Sequence, residues 1–430
     1  MESATKRRTR WPAIPSAAER SGVAGARGER AVSGFNWTSR KAQPHNALRP
    51  RRPGFRDTLL RGSDRRPRSR RRPSGAPVPL VPAEPDWEAR AAAALAHWTL
   101  PQPPLPLTEG GGLINRTWQV GAPPAAALQW LNPIFPPAVN ADIQRLSDRL
   151  RAHGVPCPEL LPTRGGARWV EADGGAWRAL SWIPGRTLHQ VSTPALAEAA
   201  GAVLGRFHAA LDGWAPERSA PIRRIHDTPA RLAELARAVA EGQGHRLHAD
   251  VEQLADQILS DWSTWDGSLA LPERICHGDP KISNIRFHPD LDLGICLIDL
   301  DTVGPQTLDC ELGDAWRSWC NPSGEDDPEA VSLDLERFSA AATGFLRAAP
   351  PLQPEEREGI AGGLERICLE LASRFAADAL RNSYFREDRV RWPAAGDHNL
   401  RRARGQHRLA RLARAHRAHI RAILRAAAGP

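Results

Sequence analysis

The side chains with chemistry to offer crowd into one stretch. It reads Ile275-Cys276-His277-Gly278-Asp279-Pro280-Lys281-Ile282-Ser283-Asn284-Ile285-Arg286-Phe287, followed by Ile295-Cys296-Leu297-Ile298-Asp299-Leu300-Asp301-Thr302. Asn284 follows Asp279 by five positions, and Asp299 ends an apolar run fifteen positions after Asn284. Moving a phosphoryl group from a nucleotide needs a carboxylate that orients the attacking hydroxyl and accepts its proton, together with oxygen ligands for Mg²⁺ on the phosphates. Asp279 supplies the first. The Asn284 amide and the Asp299 carboxylate supply the second, few and hard, as Mg²⁺ prefers. Lys281 can place its ammonium on the transferring phosphate as a point charge. Any one of these residues alone is an ordinary turn former; the order and spacing of the four, which match H-x-D-x-x-x-x-N with a later metal-binding Asp, carry the reading. His277 reads as a structural histidine that hydrogen-bonds within the loop.

These residues need elements to hold them. An Ala-rich helix is expected over Glu88 to His97, and a hairpin over Leu113 to Val120 and Ala125 to Leu131, preceded by Gly110-Gly111-Gly112. Val139, Ile143, Leu146 and Leu150 recur at helical spacing up to Gly154. Arg168 to Glu171 and Trp177 to Ile183 read as a second hairpin turning at Asp173-Gly174-Gly175, and Trp182-Ile183-Pro184-Gly185-Arg186 as a hinge. Beyond it the chain reads mostly as helices (Thr193 to Leu211, Pro229 to Ala240, His248 to Asp261, and much of 359–428), with one strand–loop–strand unit at 274–303. The expected fold class is α/β (α+β), with a small antiparallel-sheet lobe over 77–183 and a larger helical lobe over 184–430.

Composition narrows the function classes. Of the 430 residues, 41% are hydrophobic, and no apolar run approaches the roughly 18 residues that would span a bilayer, so the chain reads as soluble, with no membrane partner. The formal net charge of +9 lies in the N-terminal part: residues 1–75 hold 20 Lys and Arg against 5 Asp and Glu, which leaves 38 against 44 for the rest. Residues 1–76, rich in Arg, Pro, Ser and Gly, read as a disordered basic tail, or as a stretch upstream of a true start at Val78 or Val81. A nucleic-acid contact would run only through that tail. Cys157, Cys276, Cys296, Cys310, Cys320 and Cys368 show no metal-site spacing and read as free thiols, which makes a reducing cytoplasm the default location. His416 and His419, one helical turn apart, lie among arginines that would repel a cation, and the apolar stripe of Leu409, Leu412, Ile420, Ile423 and Leu424 should pack on the helical lobe.

The motif resembles the aminoglycoside phosphotransferase and choline kinase branch of the protein-kinase-like fold, and more narrowly the N-acetylhexosamine 1-kinase group. The likeness rests on Gly278-Asp279-x-Lys281-x-x-Asn284, Ile298-Asp299-Leu300-Asp301-Thr302-Val303 and Gly313-Asp314-Ala315-x-Arg317. Further on it continues through Arg374-Phe375-x-x-Asp378, Tyr384-Phe385 and His398-Asn399-Leu400-x-Arg402-Ala403-Arg404-x-Gln406. It covers about residues 107–412. The resemblance implies a bilobal kinase-like fold, ATP and Mg²⁺, Asp279 as base, Asn284 and Asp299 as metal ligands, and Lys281 near the γ-phosphate. It also implies sugar contacts from Arg374 and from Tyr384, the only tyrosine. Two positions depart from the group: Tyr384 arrives one residue early, and Glu311 stands where Asp is usual.

On the nucleotide side, Gly112 and Asn115 belong to a turn that can cover the phosphates, and Gln129 stands at or near the place of the usual strand lysine. Backbone groups of Ser181, Trp182 and Ile183 would hold adenine. The expected activity is ATP-dependent phosphorylation of a small-molecule hydroxyl, such as that of an N-acetylhexosamine. The alternatives are an aminoglycoside, choline or amino-alcohol kinase, for which Glu365, Glu370 and Asp378 offer acids, and a catalytically inactive nucleotide binder, motivated by the missing lysine.

Overall fold

The computed structural model describes residues 86–101, 103–106, 115–172, 175–221 and 224–429. The first part is an antiparallel sheet of β1 (Pro104–Pro106), β2 (Arg116–Val120), β3 (Ala126–Leu131), β4 (Val170–Ala172) and β5 (Gly175–Ser181) in the order β1-β2-β3-β5-β4. Alternation along the strands divides its two faces. Trp118, Leu128, Trp177 and Ala179 face helix α1 (Trp87–Leu95), whose Ala91 and Leu95 join Trp98 to close a small core. The other face carries Gln129 directly opposite Arg178. Helix α2 (Val139–Ala152) follows β3 and buries Ile143, Leu146 and Leu150 at the expected spacing, and the chain turns at Gly154 with φ +70°. The turn proposed at 173–174 lies outside the described residues.

After Ser181 the chain crosses to the helical part through β6 (Arg186–Thr187). Helix α3 (Pro194–Ala210) starts at Thr193, whose Oγ1 accepts from the Leu196 amide at 3.2 Å with Pro194 in the first turn. Asp227 caps α4 (Thr228–Glu241) in the same way at 3.2 Å, and α5 (His248–Ser263) follows. The strand–loop–strand unit differs from the sequence expectation. Its first strand, β7 (Glu273–Cys276), does not pair within the unit; β8 (Ile285–Phe287) pairs with β9 (Gly294–Leu297) and with β6, while β7 pairs with β10 (Gly304–Thr307) just beyond it. The reactive loop is therefore suspended between two small ribbons.

The remaining helices are α6 (Leu308–Trp319), α7 (Leu335–Ala348), α8 (Pro354–Gly359), α9 (Gly363–Arg381), α10 (Asp397–Ala415) and α11 (Arg417–Ala428). Helix α9 is buried on nearly every side and packs against α4, α5, α6 and α10, so even its polar residues must find internal partners. Gly313 lets α6 approach α9: a Cβ there would sit 2.3 Å from the Gly363 carbonyl oxygen. Leu409, Ile420 and Leu424 are buried in the same core, with Leu412 and Ile423 packed against it. All six cysteines are free and buried. No described helix is long and apolar enough to cross a membrane.

Candidate active site

The loop between β7 and β8 is held from three sides. Glu311, on α6, is fully buried, and its two carboxylate oxygens accept from the His277 and Gly278 amides at 2.7 and 2.9 Å. Burial opposes its charge, but His208, His277 and the Gly278 amide hold its carboxyl below the ordinary range. Glu311 thus bears on the loop, where its side chain reaches both amides. His277 donates from Nε2 to the Ile298 carbonyl at 2.9 Å. Thr302 Oγ1 donates to the His277 carbonyl at 2.8 Å, and Trp319 Nε1 to that of Pro280 at 3.0 Å. Gly278 has φ +83°, and a Cβ there would stand 2.7 Å from the Thr302 carbonyl oxygen, so the position requires glycine.

This frame gathers Asp279, Lys281, Asn284 and Asp299. The Lys281 ammonium pairs with Asp279 Oδ2. Burial opposes that ammonium's charge, yet Asp279 and Asp299 raise its pKa above the ordinary value, so it stays cationic. Asn284 donates from Nδ2 to the Asp279 carbonyl at 2.8 Å and to its Oδ2 at 3.2 Å, which turns Oδ1 away from these acceptors. Asp299 begins a tight turn in the left-handed region, φ +65°, and its carboxylate accepts no hydrogen bond among the described residues. Burial, then the charges of Asp301 and Asp279, push its carboxyl up to about 6 against the pull of Lys281. A carboxylate without a donor, near other carboxylates and following Ile298, whose amide donates to the Asn284 carbonyl at 2.8 Å, fits a hard divalent cation. His208, Cys276 and Glu311 also bring donor atoms within 4.8 Å of one another. Both Glu311 oxygens are already taken by amides, and burial pushes the Cys276 thiol well up, so this trio fits a cation poorly.

The nucleotide-side residues do not all present free groups. Gly112 lies outside the described residues. Asn115 is buried, donating from Nδ2 to Asp301 Oδ2 at 2.7 Å and accepting from the Asn132 amide at 3.0 Å. Gln129 accepts both Nε and Nη2 of Arg178 at 2.9 and 2.8 Å and donates to Thr117 Oγ1 at 3.1 Å. In the hinge, the Ser181 and Trp182 amides donate to the carbonyls of Glu159 and Ala125 at 2.8 and 3.3 Å. The Ile183 amide has no partner among the described residues. Sequence reasoning passed over Arg178 and its buried partner Asn140, and named Asp301 in the motif without giving it a role; the signal was an arginine inside the apolar run Trp177-Arg178-Ala179-Leu180.

At the other end, Asp378 organises the chain after α9. Its carboxylate accepts the Ser383, Tyr384 and Phe385 amides at 2.8, 3.0 and 2.8 Å and the Asn399 amide group at 3.2 Å. Tyr384 and Phe385 are thereby brought to Arg374, whose guanidinium carbon lies 5.5 and 5.4 Å from their ring centres.

Residues 109–355 match the phosphotransferase enzyme family, APH. The chain belongs to this family. This phosphotransferase is 30% identical to the streptomycin 3''-kinase of Streptomyces griseus over 250 residues, 54% of this chain and 79% of the relative. Among solved structures, it is similar to an amicoumacin kinase in complex with AMP-PNP, Ca²⁺ and Ami: TM-score 0.53, 15% identity, 75% of this chain and 93% of that one. A microcompartment-associated aminopropanol kinase gives a TM-score of 0.51 at 17% identity over 77% and 98%. These likenesses show the fold, two-lobed and kinase-like. The family makes the protein a small-molecule phosphotransferase with a hydroxyl as acceptor, and leaves the acceptor to the site itself.

Proposed function

We propose that this phosphotransferase moves the γ-phosphate of ATP to a hydroxyl of a neutral sugar such as an N-acetylhexosamine. The supporting observation is that the acids a cationic acceptor would need are already engaged. Glu365 is held by Arg414 at 2.6 Å and by Arg417, Glu370 by His226 Nδ1 at 2.9 Å and Thr228 Oγ1 at 2.7 Å, and Asp378 by the backbone it organises. Beside Tyr384 lies a cation, Arg374, which has no salt bridge among the described residues. A guanidinium next to an aromatic ring suits an uncharged ring with hydroxyl and acyl oxygens and opposes an ammonium.

In this reading Asp279 orients the acceptor hydroxyl and takes its proton at a carboxylate oxygen, and Lys281 meets the charge on the transferring phosphate. Mg²⁺, when bound through Asn284 Oδ1 and Asp299, supplies neutralisation of the β- and γ-phosphate oxygens. The Ile183 amide is the hinge donor for adenine, residues 77–183 form the nucleotide side, and 184–430 carry the loop and the acceptor side. A second reading, a streptomycin-like acceptor, is favoured by the 30% identity to the streptomycin kinase. ADP release from Mg²⁺-ATP separates them across N-acetylglucosamine, N-acetylgalactosamine, streptomycin, kanamycin, choline and homoserine. Turnover confined to the sugars is expected. Turnover with streptomycin or kanamycin alone replaces the sugar reading with the second, and ATP binding without turnover on any acceptor sinks both.

A further inference from the structure

In kinase-like enzymes a strand lysine usually does two jobs at once: it contacts the nucleotide phosphates and, through an ion pair with a helix glutamate, fixes the small lobe in its working position. Neither residue is here. The cleft face of β3 carries Gln129, and the first turn of α2 carries Asn140. Between them, 1% exposed, lies Arg178 on β5, the cross-strand partner of Gln129. A guanidinium has five N–H donors, and each has an acceptor. Nε and one Nη2 hydrogen go to Gln129 Oε1, and one Nη1 hydrogen goes to Asn140 Oδ1 at 3.2 Å. The remaining two form a forked pair with Asp301, both at 2.7 Å. Asn115 adds a third donor to Asp301 at 2.7 Å.

Asp301 belongs to the turn Leu300–Thr302, which starts at Asp299 and returns to the reactive loop through the bond from Thr302 Oγ1 to the His277 carbonyl. We propose that Arg178 is a positioning residue that, through Asp301, fixes Asp299 and the turn behind it. It would keep the structural half of the lysine–glutamate pair's task while giving up the phosphate-contacting half. Because all five donors are engaged, Arg178 offers nothing to a nucleotide phosphate. Charge compensation there falls to the metal site and Lys281. The inference rests on the reading of Asp299 as a metal ligand.

The test measures Mn²⁺ binding to the enzyme–ADP complex by electron paramagnetic resonance, and metal-free ADP affinity by calorimetry. The variants are Arg178→Lys, which keeps the charge but not the fork, and the double variant Arg178→Met with Asp301→Leu, which removes both buried charges. Loss of an outer-sphere support weakens metal binding about 10- to 100-fold, and this is expected in both variants, with metal-free ADP affinity unchanged. Wild-type Mn²⁺ affinity in both folded variants would overturn the proposal. So would a metal-free ADP affinity that falls with Arg178→Lys, since the guanidinium would then be touching phosphate. Failure of both variants to fold would assign the pair to fold stability alone and overturn it as well. Asp299→Asn is the control: Mn²⁺ binding that survives it refutes Asp299 as a ligand, whereas binding lost there but intact in the Arg178 variants refutes only the role of Arg178.

Discussion

The reactive loop and the cleft face of the sheet meet at Asp299 and Asp301, yet they are assembled in opposite ways. In the loop, Lys281 and Asn284 reach Asp279 across two and five positions, and the contacts that frame them, from Thr302, Glu311 and Trp319, span 25 to 39. On the cleft face, Arg178 reaches Asp301 across 123 positions, and Asn115 reaches it across 186. The loop carries the groups proposed to act on the reacting atoms, whereas on the cleft face Arg178 has all five of its donors engaged and none left over for a ligand. A site can thus be chemically compact in sequence and still depend, for its geometry, on residues far away in the chain.

The largest expected effect lies in the loop. Asp279→Ala should lower kcat by roughly 10²–10⁴-fold, the range for a general base, with nucleotide affinity nearly intact; steady-state kinetics with a nucleotide titration checks this, and substantial residual turnover would show that another carboxylate does the work. In the network, Arg178→Met alone strands a buried carboxylate and should destabilise the fold by about 3–5 kcal/mol, with much of the loss recovered when Asp301→Leu is added. Urea unfolding of the single and double variants measures the coupling, and equal loss in both would show that Arg178 and Asp301 are not coupled. Gly278→Ala forces a left-handed alanine against the Thr302 carbonyl and should remove about 1–2 kcal/mol of stability. Its kcat should fall further than that stability loss explains, because the bond from Thr302 to the loop is displaced.

The smallest effect belongs to a third region. Glu325 bridges Arg317 of α6 and Arg402 of α10; burial opposes its charge, but the two guanidinium groups hold its carboxyl down to about 2. A depressed carboxylate stabilises above its unfolded pKa, near the ordinary 4.5, and that stabilisation fades as pH falls toward 2. The melting-temperature gap between the wild type and Glu325→Gln should therefore be flat above about pH 5 and close on acidification. With the side chain 31% exposed, solvent screening keeps the underlying stability difference near 1 kcal/mol or less. A gap that widens in acid would contradict the sign.

What was legible in the sequence follows the same division. The helices over 194–210, 228–241 and 248–263 were readable because apolar spacing and caps are local signals. The pairing of β7 with β10 was not, because two apolar strands flanking a loop do not reveal which ribbon each joins. Glu365, Glu370 and Asp378 looked available to a cationic acceptor because the sequence shows a carboxylate but not its partner, and all three prove to be held by arginines, a histidine or backbone amides. Arg374 and Tyr384, ten positions apart, meet only because Asp378 folds the intervening chain.

The sequence by itself determined which chemical groups the loop carries. The identities and spacings of Asp279, Lys281, Asn284 and Asp299 lie between positions 279 and 299, so a single stretch of sequence shows them together. Only the tertiary structure decided how the charges are partnered: that Arg178 would be saturated, that three acids would be engaged, and that Arg374 would lie against Tyr384 and Phe385 without a salt bridge among the described residues. A buried ionisable group must find a partner, and which partner lies within hydrogen-bonding reach is set by how distant elements pack.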